Sequence, residues 1–177
     1  MHRHLQLIRA AVLASLLVEL LPPFAKAETR VDGIHPSEDT TIRRRDGTVY
    51  QGTAIRGVPE GRGSMVTADG DEYSGEFHNG QPSGTGYYQW SDGSSYAGSF
   101  ANGSPDGKGT FIFTSGIKYS GEVRDGQPNG TGTFFYLNGT RYDGQVKDGA
   151  ADGHGTLTRA DGTQRISNWV MGKPVDP

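Results

Sequence analysis

Residues 69–91, DGDEYSGEFHNGQPSGTGYYQWS, decide how this chain folds. Displaced by 23 residues, the sequence falls on itself, with blocks opening at Asp46, Asp69, Asp92, Ser115 and Asn138 and a partial sixth at Asp161. No insertion or deletion breaks the register. Every glycine except Gly33 holds one of five fixed positions in the block. A constant period of this length belongs to stacked supersecondary units, each too small to bury its own apolar face.

Each block opens with Asp-Gly, Asn-Gly or Ser-Gly, as at Asp46-Gly47, Asp92-Gly93 and Asn138-Gly139. Such pairs supply the positive φ angles of hairpin turns. In the run that follows, Tyr73, Gly75 and Phe77 alternate with Glu72, Ser74, Glu76 and His78. That alternation predicts a half-buried strand. Asn79 to Gly84 read as a Gly- and Pro-rich connection that interrupts the ladder. A second strand is predicted from Gly86, with Gly86, Tyr88 and Trp90 on one face. Each repeat is then one β-hairpin, and the chain a row of about ten or eleven strands. Tyr50, Tyr73, Tyr96, Tyr119 and Tyr142 recur once per block, as do Gly52, Gly75, Gly98, Gly121 and Gly144. Rings alternating with bare backbone predict an aromatic ladder along one face.

The fold class that results is all-β: an elongated single twisted antiparallel sheet of tandem β-hairpins, roughly 50 Å long at the usual strand spacing. Its one apolar face calls for cover, either by curling across its width or by pairing with another copy. The N-terminal leader is expected to be disordered or helical. With 28 glycines among 177 residues and few aliphatic side chains, an ordinary layered core has too little to fill it.

Residues 1–27 read as a secretory signal peptide. His2, Arg3, His4 and Arg9 come first, then an apolar run from Ala10 to Leu21, then Ala25-Lys26-Ala27 as a cleavage site. An anchor helix is the competing reading, but a span needs roughly 20 apolar residues, and Glu19 interrupts this run. Cleavage near Ala27 predicts a periplasmic or secreted protein. Without the leader's charges the remainder has 14 basic and 19 acidic residues, a net charge of about −5. That balance gives no reason to expect nucleic acid as a partner. The absence of cysteine excludes a disulfide framework. Residues 28–45 are polar and aperiodic and predict a flexible linker, with Arg43-Arg44-Arg45 read as a solvated charge run in preference to a site for acidic lipid or another anion.

Tyr73-Ser74-Gly75-Glu76-Phe77-His78-Asn79-Gly80, followed by Gly84-Thr85-Gly86-Tyr87-Tyr88, resembles the MORN (membrane occupation and recognition nexus) repeat, here of an exported bacterial type. The resemblance covers five repeats over residues 46–160. Residues 161–177 look like a degenerate capping copy, in which Arg165 and Ser167 replace the Tyr and Gly while Trp169 keeps the aromatic position. What the resemblance implies is a scaffold or binding module, with self-association and phospholipid binding as roles proposed for the family. Pro82-Ser83, Pro105-Asp106 and Pro128-Asn129 stand where family members commonly carry basic residues, which weakens the case for acidic lipid.

No catalytic set emerges. Gly107-Lys108-Gly109-Thr110 lacks the spacing of a phosphate loop, and the paired glycines lack the third glycine and the helix of a dinucleotide site. His35, His78 and His154 have no metal-ligand spacing. Neither cofactor nor metal is predicted. The candidate binding or packing face is Tyr73, Phe77, Tyr88, Trp90, Tyr96, Phe100, Phe113, Tyr119 and Tyr136. The expected function is a non-catalytic, exported scaffold for protein–protein interaction or self-association. An envelope lipid- or glycan-binding module using the same rings is the alternative.

Overall fold

A computed structural model describes residues 38–175 of the chain; the predicted signal peptide and residues 28–37 of the predicted linker lie outside the described residues. The described part is all-β. Its strands are β1 (Glu38–Arg43), β2 (Val49–Ile55), β3 (Val58–Val66), β4 (Glu72–His78), β5 (Gln81–Gln89), β6 (Ser95–Ala101), β7 (Ser104–Ile112), β8 (Lys118–Arg124), β9 (Gln127–Phe135), β10 (Arg141–Lys147), β11 (Ala150–Thr158), β12 (Gln164–Val170) and β13 (Lys173–Val175). They form one open antiparallel sheet of 13 strands in sequence order. Strands of 7 and 9 residues alternate through the repeats.

Two features differ from the sequence reading. The stretch from Asn79 to Gly84 does not interrupt the ladder. Asn79 and Gly80, at φ 50° and 80°, are the two central residues of a tight turn, and β5 starts at once, pairing His78 with Gln81 and Phe77 with Pro82. Two consecutive positive φ angles give the primed turn whose twist matches that of the flanking strands. Pro82 is tolerated because its polar backbone atoms face away from β4. Its carbonyl accepts the Gly103 N–H of the next turn at 2.9 Å, so the missing N–H leaves no gap in the β4–β5 ladder. Gly80 to Pro59, Gly126 to Pro105 and Gly149 to Pro128 repeat the bond. The Asp-Gly openings are wider turns; at Asp46, Asp92 and Asp161 the acidic side chain takes a backbone N–H two residues on, as Asp92 does from Ser94 at 2.8 Å, whereas in the Asp69 turn Thr67 Oγ1 accepts the Asp71 N–H.

The second difference is β1. Part of the predicted flexible linker, Glu38 to Arg43, is an added edge strand on β2. It carries a single large apolar residue, Ile42, which pairs with Tyr50 and packs on the core. A six-residue strand with one such residue gives almost no periodic signal.

The core is built on an unbroken row of glycines crossing the sheet. Gly52 pairs with Gly63, Gly63 with Gly75, Gly75 with Gly86 and Gly86 with Gly98, and the row continues through Gly109, Gly121, Gly132 and Gly144 to Gly155. Each repeat's tyrosine lays its ring over this row. A Cβ at Gly86 would stand 2.6 Å from Cζ of Tyr73, inside the ring's own volume. Thr40 and Ser167 close the row at its two ends.

Where the ring ends, the strand bulges. Between Gly75 and Glu76 the register shifts, and the Tyr73 hydroxyl donates to the Glu76 carbonyl at 2.8 Å. Tyr96 to Ser99, Tyr119 to Glu122 and Tyr142 to Gln145 do the same. A bulge frees a carbonyl from the ladder, and the phenol satisfies it. Tyr50, Tyr73, Tyr96, Tyr119 and Tyr142 are 1% exposed or less. Phe77 and Phe100 fill the intervals edge-on, with Tyr50–Phe77, Phe77–Tyr73, Tyr73–Phe100 and Phe100–Tyr96 centroids 4.8, 5.0, 5.0 and 5.3 Å apart. Such pairs contribute about 0.5–1.5 kcal/mol each beyond burial.

The sheet covers this face partly by curling. Arg44 lies in the β1–β2 turn and Gly80 in the β4–β5 turn, at opposite ends of their strands. A side chain on Gly80 would nevertheless start 3.8 Å from the Arg44 guanidinium. At the far end Trp169 caps the row, meeting Tyr142 edge-on at 5.3 Å and donating Nε1–H to the Gly155 carbonyl at 3.1 Å.

Two glycine substitutions separate ring crowding from backbone strain. Gly86→Ala should destabilise the fold by about 3 kcal/mol or more through overpacking. Gly93→Ala, with φ of 90° and nothing within 4 Å, should lose only about 1–2 kcal/mol for its left-handed backbone. Urea denaturation of both variants checks the order.

Candidate functional site

The structure divides the nine candidate rings in two. Tyr73, Phe77, Tyr96, Phe100 and Tyr119 are buried, at most 4% exposed. They hold the sheet together and present nothing to a ligand. Tyr88, Trp90, Phe113 and Tyr136 are only partly buried and pack on that core from the side. They lie where β5, β7 and β9 run into the wider turns.

These four lie in two runs of neighbouring rings along one border of the sheet. Tyr88 lies 4.7 Å from Trp90, Trp90 is 6.0 Å from Phe111 with planes 19° apart, and Phe111 is 5.5 Å from Phe113 at 10°. Phe134 and Tyr136 continue the pattern at 6.2 Å. Phe111 and Phe134 are members that the sequence reading left out of the candidate face. They occupy the repeat position of Tyr88, so the 23-residue alignment that singled out Tyr88 pointed to them as well.

A carboxylate stands against the first run. Asp71 Oδ2 accepts the Tyr88 hydroxyl at 2.9 Å, and Oδ1 accepts the Ser91 N–H, also at 2.9 Å. Asp71 thereby ties the β3–β4 turn to the β5–β6 turn. Its hydrogen bond from Ser91 holds its carboxyl below the usual carboxylate range. Asp92 is likewise held low, first by the Ser94 hydroxyl, while the charge of nearby Asp71 works the other way. Burial, assisted by Asp71, pushes the Tyr88 phenol up to about 12.

Among the described residues no group of three His, Cys, Asp or Glu converges as a metal site, and no helix is long and apolar enough to cross a membrane. A depression lined by Thr40, Thr41, Gln51 and Gly52 is open to solvent and holds no titratable side chain. The opposite face of the sheet mixes hydroxyl and charged side chains with exposed apolar ones, among them Val66, Ile112, Phe135 and Ile166. There Thr110 donates to Ser120 and Thr133 to Asp143, while Lys118 lies 5.7 Å over the Phe135 ring. What the geometry offers is planar, partly exposed aromatic area beside carboxylates held below their usual range.

Five consecutive matches to the family described as MORN repeat cover residues 50–72, 73–95, 96–118, 119–141 and 142–164. No curated protein matches the sequence. Among solved structures, this chain is similar to one described as the SAS-4 (dCPAP) TCP domain in complex with a proline-rich motif of Ana2 (dSTIL) of Drosophila melanogaster. The similarity has a TM-score of 0.49 at 15% identity and covers 84% of this chain and 86% of that one.

Alanine substitution should separate the two classes of ring. Phe100→Ala should destabilise the protein by about 3–5 kcal/mol, as expected for a buried aromatic. Trp90→Ala should cost less than half of that in the same thermal melts, because its ring already meets water. Alkaline titration gives an independent check. Burial pushes Tyr73, Tyr96 and Tyr119 up to about 12, whereas an unfolded tyrosine ionises near 10. The folded state therefore holds these protons longer. Their contribution to stability is complete below about pH 10 and is lost as the pH climbs toward 12. Tyrosinate absorbance and far-UV circular dichroism should change together in that window.

Proposed function

The chain belongs to the MORN-repeat family, and from that premise we propose that it is a non-catalytic, exported binding module whose sheet holds a protein partner or a second copy of itself. The observation that supports this most is the set of partly exposed rings, Tyr88, Trp90, Phe113 and Tyr136, placed along one border of a rigid sheet. Aromatic side chains offer large contact area with little rotamer entropy to lose, which is why they anchor interfaces. The sheet beneath them is fully paired through the repeats, so binding needs no ordering of backbone.

Export rests on the leader, with its basic start, apolar run and Ala25-Lys26-Ala27. In a host with two membranes the destination is the periplasm. An envelope lipid or glycan is a second occupant for the same rings, favoured by the partial exposure of Trp90. The acidic balance of the chain works against an anionic lipid.

Size-exclusion chromatography with light scattering on the full chain should give a mass that rises with concentration, or else a pull-down from envelope extract should retain a protein at stoichiometric yield. A strict monomer that retains nothing overturns the binding-module reading.

A further inference from the structure

We propose that Tyr88 and Trp90, with the carboxylates of Asp71 and Asp92 beside them, form a receptor for an arginine side chain carried on a protein partner. The proposal rests on the binding-module reading and names the chemistry of the partner.

The repeat supplies its own internal control. At the position of Tyr88 the other blocks carry Met65, Phe111, Phe134 and Leu157, none of which has a hydroxyl. At the position of Trp90 they carry Thr67, Phe113, Tyr136 and Arg159. Asp71 is matched by Thr48, Ser94, Ile117, Thr140 and Thr163, so a carboxylate is not what the turn requires. The scaffold is thus built four or five times without these groups, and three departures from its pattern meet at one place. Tyr88 touches Trp90 at 4.7 Å between centroids, and its hydroxyl reaches Asp71 at 2.9 Å. Asp71 in turn holds the N–H of Ser91, the residue after Trp90.

Charge and shape then select the occupant. Asp92 directly follows Ser91, whose N–H Asp71 holds, so the two carboxylates belong to the same pair of tied turns. Neither carboxylate forms an ion pair with a lysine or arginine among the described residues. A planar guanidinium satisfies both parts of the site, stacking on the indole while its N–H groups reach the carboxylates. Anionic groups meet two carboxylates and are repelled. The net negative charge outside the leader steers basic segments toward the sheet.

The test uses the full chain, labelled with nitrogen-15. Its two tryptophans give two indole N–H resonances, of which Trp90 is assigned by its absence in Trp90→Phe. Octa-arginine should shift the Trp90 resonance saturably while that of Trp169, in the core, stays put. Octa-glutamate and phosphatidylglycerol vesicles should leave both unmoved. Asp71→Asn and Asp92→Asn keep the size of each side chain and remove the charge. Together they should weaken octa-arginine about fivefold or more, as should added salt. If Asp71→Asn disturbs the fold, seen as movement of the Trp169 resonance, Asp92→Asn alone carries the comparison, because Asp92 bonds only within its own turn.

An unmoved Trp90 resonance, an equal response to octa-glutamate or to vesicles, or unchanged affinity in the charge variants overturns the proposal. The broader reading survives each of those results if association and pull-down persist in Trp90→Ala.

Discussion

A tyrosine ring can lie flat on a β-sheet only where the strands beneath it carry no side chains, and this protein is the extension of that one contact across its repeats. Ring and glycines are mutually obligatory. A Cβ at Gly75 or Gly86 would sit inside Tyr73, and without the ring the bare backbone of two strands would be open to water. Because each ring covers glycines on its own strand and on the next, the contact is also what joins strand to strand. The bulge beyond each glycine pair follows from the same geometry, since it brings a free carbonyl under the phenol. Curling then follows in turn, because bulges bend the strands that carry them.

This arrangement separates buried from partly exposed rings along a single strand. In β5, Gly86 makes room for the Tyr73 ring beneath it, Tyr88 leans on that ring from the side, and Trp90 at the strand's end is partly in water. Positions nearest the glycine row are held by packing. Those nearest the wider turns are free to vary, and they do: Thr67, Trp90, Phe113, Tyr136 and Arg159 share one repeat position. A repeat protein of this kind can change the side chains at its border without disturbing what it stands on.

Most of this was legible in the sequence, because period and alternation are properties of spacing. The 23-residue register placed Tyr50 through Tyr142 on one face and the glycines between them, and the sheet is built that way. What spacing could not convey was direction. Pro82 read as a breaker because proline usually is one, and only the pairing of Phe77 with Pro82 shows its backbone turned to the neighbouring hairpin. Nor does periodicity rank burial. Tyr73 and Trp90 are both aromatic residues on the apolar face, yet one lies over glycine and the other at a turn. β1 escaped for a different reason, having only Ile42 to announce it.

The bond from four successive tight turns to the proline of the preceding hairpin has a consequence for how such chains grow. Surface turns are ordinarily where a protein accepts an extra residue or loses one. Here Gly103 is fastened to Pro82 and Gly126 to Pro105, so lengthening one turn would unfasten it from its neighbour. A one-residue slip within a strand would turn its rings outward. Neither kind of small edit is neutral, whereas duplicating or excising a whole block leaves every bond with an equivalent partner. Array length in this architecture should therefore change in quanta of one repeat, much as a zip is shortened by the tooth and never by a fraction of one.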